Sequence, residues 1–225
     1  MKNILFTLYS ILIFSITAHS ADWSTWGGDA TRNMVSLETD LDLDFNPGEM
    51  NDDETVDMST TQNVKWVAKL GSQAYGNVTI GNGRVFAGTN NESPRDEGKK
   101  GDRGVVMCFD EKSGELDWQL VIPKLGAGKV SDWEYIGVCS SPAIEGDRVY
   151  VVTNKCEVVC LDIAGFSNGN DGPFMDEASY VKPKGTQDLL NEKLDADILW
   201  IYDMRDQLGV FPHNVTSSSP LIIGD

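Results

Sequence analysis

GNVTIGNGRVFAGTN, from Gly76 to Asn90, decides the fold because the chain writes it again. It returns as SSPAIEGDRVYVVTN, from Ser140 to Asn154, and begins a third time as SSSPLIIGD, from Ser217 to Asp225. Self-similarity at a long period is the signature of a repeat architecture. In the first copy Val78-Thr79-Ile80 and Arg84–Ala87 flank Gly81-Asn82-Gly83. Asn-Gly between two β runs predicts a hairpin, because a type I′ turn needs positive φ at both central residues. The second copy places Glu145-Gly146-Asp147 at the same point. Each hairpin is followed by a further short run, Val105–Asp110 in one unit and Glu157–Asp162 in the other. Glu111-Lys112-Ser113-Gly114 then turns into Glu115–Leu120, whereas the second unit reaches Ile198–Tyr202 only after a long insert. Upstream, Asn63–Leu70 alternates polar and apolar residues and predicts a half-buried strand.

Each unit therefore reads as four short antiparallel strands with a tryptophan on the last, the pattern of a propeller blade in an all-β fold. Val78, Pro142 and Pro220 share one register, at spacings of 64 and 78 residues. A usual blade takes about 40–50 residues, so the excess belongs to insertions. These are Asn90–Gly104, Pro123–Tyr135 and Ile163–Asp197, the last with one or two helical turns at Asp188–Leu194. Inserts on repeat proteins gather on one face, often the binding face.

Val106 to Trp118 spells V-x-C-x-D-x-x-[ST]-G-x-x-x-W in full. It resembles the repeat of the pyrroloquinoline-quinone (PQQ)-like β-propellers, and WSTWGGDATRNMVS, VKWVAKLGSQAYGN, GVCSSPAIEGDRVY and GNDGPF extend the likeness over nearly the whole chain. The resemblance implies four-stranded blades in which a tryptophan packs across to the next blade on the glycine of a tight turn. On that basis Trp66, Trp118 and Trp200 are docking tryptophans and Gly114 a docking glycine. The second unit departs from the pattern, since Asp162-Ile163-Ala164-Gly165 runs straight into the insert. The expected blades span about 63–120 and 136–202, with a truncated third from about 215. Rings close with typically 4 to 8 blades, so this length reads as a fragment or a truncated gene product. Quinoprotein dehydrogenases of this fold hold PQQ with a ring formed by adjacent cysteines, a calcium ion and an aspartate base. No Cys-Cys pair occurs here, and none of those residues has a counterpart. No catalytic, cofactor-binding or metal residue is assigned. The expectation is a binding or scaffold module without bound quinone. The alternative is the N-terminal part of a PQQ- and calcium-dependent oxidoreductase.

Residues 1–20 form a lysine-headed apolar run ending in Ala18-His19-Ser20, the pattern of a signal peptide. The run is short for a spanning helix, which needs about 20 apolar residues. The chain is read as exported, periplasmic or extracellular, with no membrane span after signal removal. Residues 21–62 form an N-terminal segment with an acidic stretch, Glu38–Asp57, expected to be a solvated, self-repelling linker. The net charge is −17, from 35 acidic and 18 basic residues. Such a chain repels phosphate backbones and excludes nucleic acid as a partner. The expected partner is a protein or small molecule on the loop face.

Cys108, Cys139, Cys156 and Cys160 show no metal or haem spacing and read as buried free thiols in strands, with disulfide pairing left open. The oxygen-rich loop Ser167–Gly172, with Asp176 and Glu177, has calcium-like chemistry but fails the helix–loop calcium register and reads as an Asx-rich turn. His213, near Ser217–Ser219, lacks a nucleophile motif. Lys99, Lys100 and Arg103 sit among acids and read as a solvated loop. Asn77, Asn91 and Asn214 head glycosylation-type triplets. Mass spectrometry of the exported protein should find Ala21 at its N-terminus. Retention of residues 1–20 would make the run an anchor.

Overall fold

The structure is a computed structural model that describes residues 22–39, 41–126, 128, 130–182 and 190–224. The leader at 1–20 lies outside the described residues. In chain order a small hairpin, β1 (Glu49–Met50) and β2 (Val56–Asp57), comes first. Two four-stranded antiparallel sheets follow. One holds β3 (Thr79–Gly81), β4 (Arg84–Asn90), β5 (Arg103–Asp110) and β6 (Leu116–Pro123). The other holds β7 (Ala143–Glu145), β8 (Arg148–Val152), β9 (Glu157–Asp162) and β10 (Ile198–Asp203). Both run in sequence order, as meandering blades do.

The two copies of the hairpin use different turns at one position. Asn82 and Gly83 have φ of 52° and 73°, the type I′ pattern, while in the second copy only Gly146 is positive, at 58°, the type II′ pattern. Beyond the turns the sheets match residue for residue. Phe86 pairs with Cys108 and Cys108 with Trp118; Tyr150 pairs with Cys160 and Cys160 with Trp200. Arg84 faces Asp110 as Arg148 faces Asp162. In each fourth strand the register slips just before the tryptophan, leaving Asp117 and Leu199 as bulge residues. A bulge re-aims the side chain beside it. Trp118 tilts against Phe86 at 5.8 Å and Trp200 against Tyr150 at 6.0 Å between ring centroids.

Side chains alternate across a strand, so each sheet has two faces to cover. Phe86, Val106, Cys108, Trp118, Leu120 and Ile122 of the first sheet meet Ile144, Val149, Val151, Val159, Leu161 and Ile198 of the second in one buried cluster. The other face of the first sheet, Val85, Val105, Met107, Phe109 and Val121, is covered by Trp66, Ala68 and Leu70. Burial on both faces explains why Val105–Phe109 is apolar without a break. The sheets come closest at their first strands, where a Cβ on Gly81 would lie 3.2 Å from the Ile144 side chain. Trp23 exchanges backbone hydrogen bonds with Ile80 at 2.9 and 3.0 Å, and Ser24 accepts from the Ile144 N–H at 2.8 Å. Residues 23–24 thereby stitch the two first strands together.

Two expectations are corrected. Asn63–Leu70 keeps the alternating burial of a strand but joins no sheet among the described residues, because no strand lies alongside it. The acidic stretch is mostly exposed, as a solvated linker is, but it also folds locally into the β1–β2 hairpin, which the linker reading did not include. Its carboxylates bind backbone N–H groups: Asp53 accepts from Thr55 N at 3.0 Å, and Asp57 from Ser59 N at 2.9 Å, which fixes the turn and the end of the β1–β2 hairpin.

Two indoles lie on glycine turns, Trp66 covering the first sheet and Trp118 joining it to the second. Trp66 lies on Gly114, whose φ is +75° and where a Cβ would fall 2.5 Å from the ring; its Nε1 donates to Glu111 O at 2.9 Å. Trp118 lies on Gly165, whose φ is +57° and where a Cβ would fall 2.8 Å from the ring; its Nε1 donates to Ile163 O at 3.0 Å. The turn that departs from the sequence pattern thus receives Trp118 in the same way. Trp200 is half-buried against Tyr150. Gly114→Ala and Gly165→Ala should each lower unfolding free energy by more than about 2 kcal/mol in urea titrations, from backbone strain plus indole displacement. Gly83→Ala, with φ +73° but open space around it, should cost only about 1 kcal/mol. Equal costs at all three positions would remove the indole contact as the cause.

Candidate ligand cleft built by the inserts

The three long inserts converge on one cleft of about 980 Å³. The first contributes Lys100, Asp102 and Arg103, and the second Pro123, Lys124, Leu125 and Gly126. The third contributes Phe174, Asp176, Ser179, Tyr180 and Lys182, and Lys155 reaches in from the β8–β9 turn. Five cationic side chains and two carboxylates line it, and three of the cations, Lys100, Lys124 and Lys155, are paired with Glu97, Asp132 and Glu157.

The walls are held by buried polar anchors. Lys99, 1% exposed, places its ammonium 2.6 and 2.7 Å from the two oxygens of Asp195, also 1% exposed, and 2.8 Å from Asp96. Burial pushes the Asp195 carboxyl up, and the Lys99 ammonium opposes that rise. This corrects the solvated-loop reading: Lys99 and Arg103 are buried, and only Lys100 of the three is exposed. The physical reason is a partner 96 residues away at the end of the third insert. Beside it, Gln119 of β6 donates through its backbone N–H to Leu194 O at 2.7 Å and accepts from Ala196 N at 2.8 Å. The insert thereby pairs with the edge strand of the first sheet. Of the expected helical turns at 188–194, Asn191–Asp195 closes one turn through Asp195 N to Asn191 O at 2.7 Å, and 188–189 lie outside the described residues.

A short helix, α1 (Glu177–Val181), forms the far wall. Asp176 caps it by accepting from Ser179 N at 3.3 Å. Tyr180 donates its hydroxyl to Glu157 at 2.8 Å, and desolvation raises that phenol well above its ordinary value, so it stays a neutral donor. Lys155 lies 4.4 Å above the Tyr180 ring and 2.8 Å from Glu157. Arg103 donates to Lys100 O at 3.2 Å and Val181 O at 2.9 Å, both carbonyls. Its guanidinium has no carboxylate partner among the described residues, and burial pulls its pKa down. Lys124 is held by Asp132 at 2.7 Å and Asp102 at 3.6 Å. The cleft combines an unpaired guanidinium, ammonium groups and aromatic edges, a surface that complements an anion with apolar parts.

The other sequence candidates lie elsewhere. Ser217–Ser219 line a second cleft of about 510 Å³ with Trp26, Arg32, Tyr75 and Cys139. His213 is exposed and has no hydrogen bond to those serines among the described residues. Asn91 is buried, its amide donating to Lys99 O at 2.6 Å, so it is closed to glycosylation. All four cysteines are free and buried; burial pushes Cys139 and Cys160 up to about 11 and holds them as thiols. Cys139 and Cys156 lie outside the strands. The cleft itself was missed as a site because its cations are scattered from Lys100 to Lys182 with no local motif.

Repeated four-stranded antiparallel sheets in sequence order, the first sending Trp118 onto Gly165 of the second, define a β-propeller repeat protein. Residues 52–166 and 100–210 match a family model described as outer membrane protein assembly factor BamB. The chain belongs to this PQQ-like repeat family. No curated protein matches the chain. Among the described residues, no helix is long and apolar enough to cross a membrane.

Lys99→Met should cost about 3–5 kcal/mol in urea unfolding, because it strands a buried carboxylate. The double variant Lys99→Met/Asp195→Leu should recover most of that loss. A small cost for the single variant would place Asp195 in water.

Proposed function

We propose that this protein is an exported propeller module that binds an anionic partner, an acidic peptide segment, in the cleft between its three inserts. The observation that carries the reading is the convergence of all three inserts on one cationic and aromatic surface. The Arg103 guanidinium, satisfied only by carbonyls, supplies an uncompensated charge for a carboxylate. Export rests on the lysine-headed apolar run at residues 1–20, and the family description, an outer membrane assembly factor, fits both export and a protein partner. The acidity of the rest of the surface would steer an acidic segment away from everything but this cleft.

A fluorescent glutamate-rich peptide with one aromatic residue should bind the full chain at low salt, and weaken as salt rises. Lys155→Glu and Lys182→Glu should each weaken binding roughly tenfold. Binding indifferent to both reversals would sink the cleft as the site. Incubation with PQQ and calcium, followed by desalting, is the counter-test: retained quinone absorbance would replace the binding-module reading with the oxidoreductase one.

A further inference from the structure

We propose that Asp162, Asp171 and Asp197 bind one calcium ion at the root of the third insert. Asp162 ends β9, Asp197 immediately precedes β10, and Asp171 lies in the oxygen-rich loop between them. One carboxylate oxygen from each lies within 4.8 Å of the others. Calcium holds oxygens at about 2.3–2.6 Å, so ligands across the ion stand about 4.6–5.2 Å apart and neighbours closer. The three carboxylates are gathered to that span before any ion is considered.

A second observation, separate from their proximity, points to a ligand. Asp197 is 0% exposed, and its Oδ1 has no hydrogen-bond partner. Its Oδ2 accepts from the Asp171 backbone N–H at 2.9 Å, so the carboxylate is oriented while one oxygen is left over. A buried charged oxygen without a partner is among the costliest arrangements a fold can contain, and native structures supply a donor or an ion. Donors are already committed elsewhere: Asn168 Nδ2 reaches Asp162 at 3.3 Å and Asp171 at 3.2 Å, which ties those two carboxylates together. The Asn170 amide nitrogen donates to Glu177 at 3.0 Å, leaving its buried Oδ1 without a partner as well.

The surrounding charge has one sign. The groups that raise Asp197 beyond desolvation are Glu177, Asp162 and Asp171, all carboxylates, and the carboxyl stands at about 6. Among the described residues no lysine or arginine forms an ion pair with any of the four. An all-oxygen donor set of carboxylates with an amide oxygen nearby suits a hard cation and not zinc or copper. Two of the three carboxylates stand where the insert leaves β9 and enters β10, not in the loop, which is why the loop alone fails the linear calcium register. An ion there would tie the entry of the insert to its exit, where Asp162 N already donates to Asp197 O at 3.1 Å.

The test uses the full chain, stripped with chelator and titrated with calcium chloride by calorimetry and by thermal melting. One ion per chain should bind with a dissociation constant of about 1 mM or tighter, and the melting temperature should rise. Asp171→Asn, at an exposed position, should lose the heat and the thermal increment. Asp197→Asn should do the same, while raising the melting temperature of the metal-free protein, because it removes a buried charge from a field of like charges. No heat and no thermal shift at about 10 mM calcium would overturn the proposal. So would wild-type binding by either variant, or a preference for zinc over calcium.

Discussion

An indole lying flat on a left-handed glycine is the contact on which the rest of this architecture depends. A four-stranded sheet of such short strands has two apolar faces and covers neither alone. Trp66 brings a large apolar surface to the first sheet and Trp118 to the second unit, and each donates its N–H to a turn carbonyl, so the buried indoles leave no N–H stranded. The glycine is required twice over at both turns, once for positive φ and once for the room the ring occupies. The bulge before Trp118 and the small Cys108 opposite it set the angle from which that ring leaves its strand.

The third insert is part of the framework and not an appended loop. It crosses from the second sheet to the first, pairs backbone to backbone with β6 and accepts the buried Lys99 ammonium. An outer strand with free N–H and C=O groups invites pairing with other chains, and residues 194–196 occupy part of that edge. The same crossing positions α1 and its Tyr180 against Glu157, so the cleft walls are held from both sheets at once. A surface held in this way binds with little ordering cost.

The hairpins were legible because Asn82-Gly83 and Gly146 state a backbone requirement in their residue types. The strand ladders were legible because Val105–Phe109 and Val158–Leu161 carry the apolar runs that twice-covered sheets demand. Gly165 was not, because the second turn sets its glycine two residues after the accepting carbonyl where the first sets it three after, and the linear motif breaks on that difference. Asn63–Leu70 misled in another way: alternation reports which side of an extended chain is buried, and says nothing about whether a partner strand lies beside it. Lys99 and the three aspartates were opaque for a common reason. Their partners are brought together by the return of the third insert, and local charge patterning holds no record of that return.

The seam also has a direction in time. Each indole precedes its receiving carbonyl in the chain, and in both contacts the separation is 45 residues. A ribosome adding about 5–20 residues per second needs about 2–9 s to cover that distance. For that interval Trp66 and Trp118 have been made and the turns that receive them have not. Each indole contact closes only when the turn that follows it by 45 residues has been made.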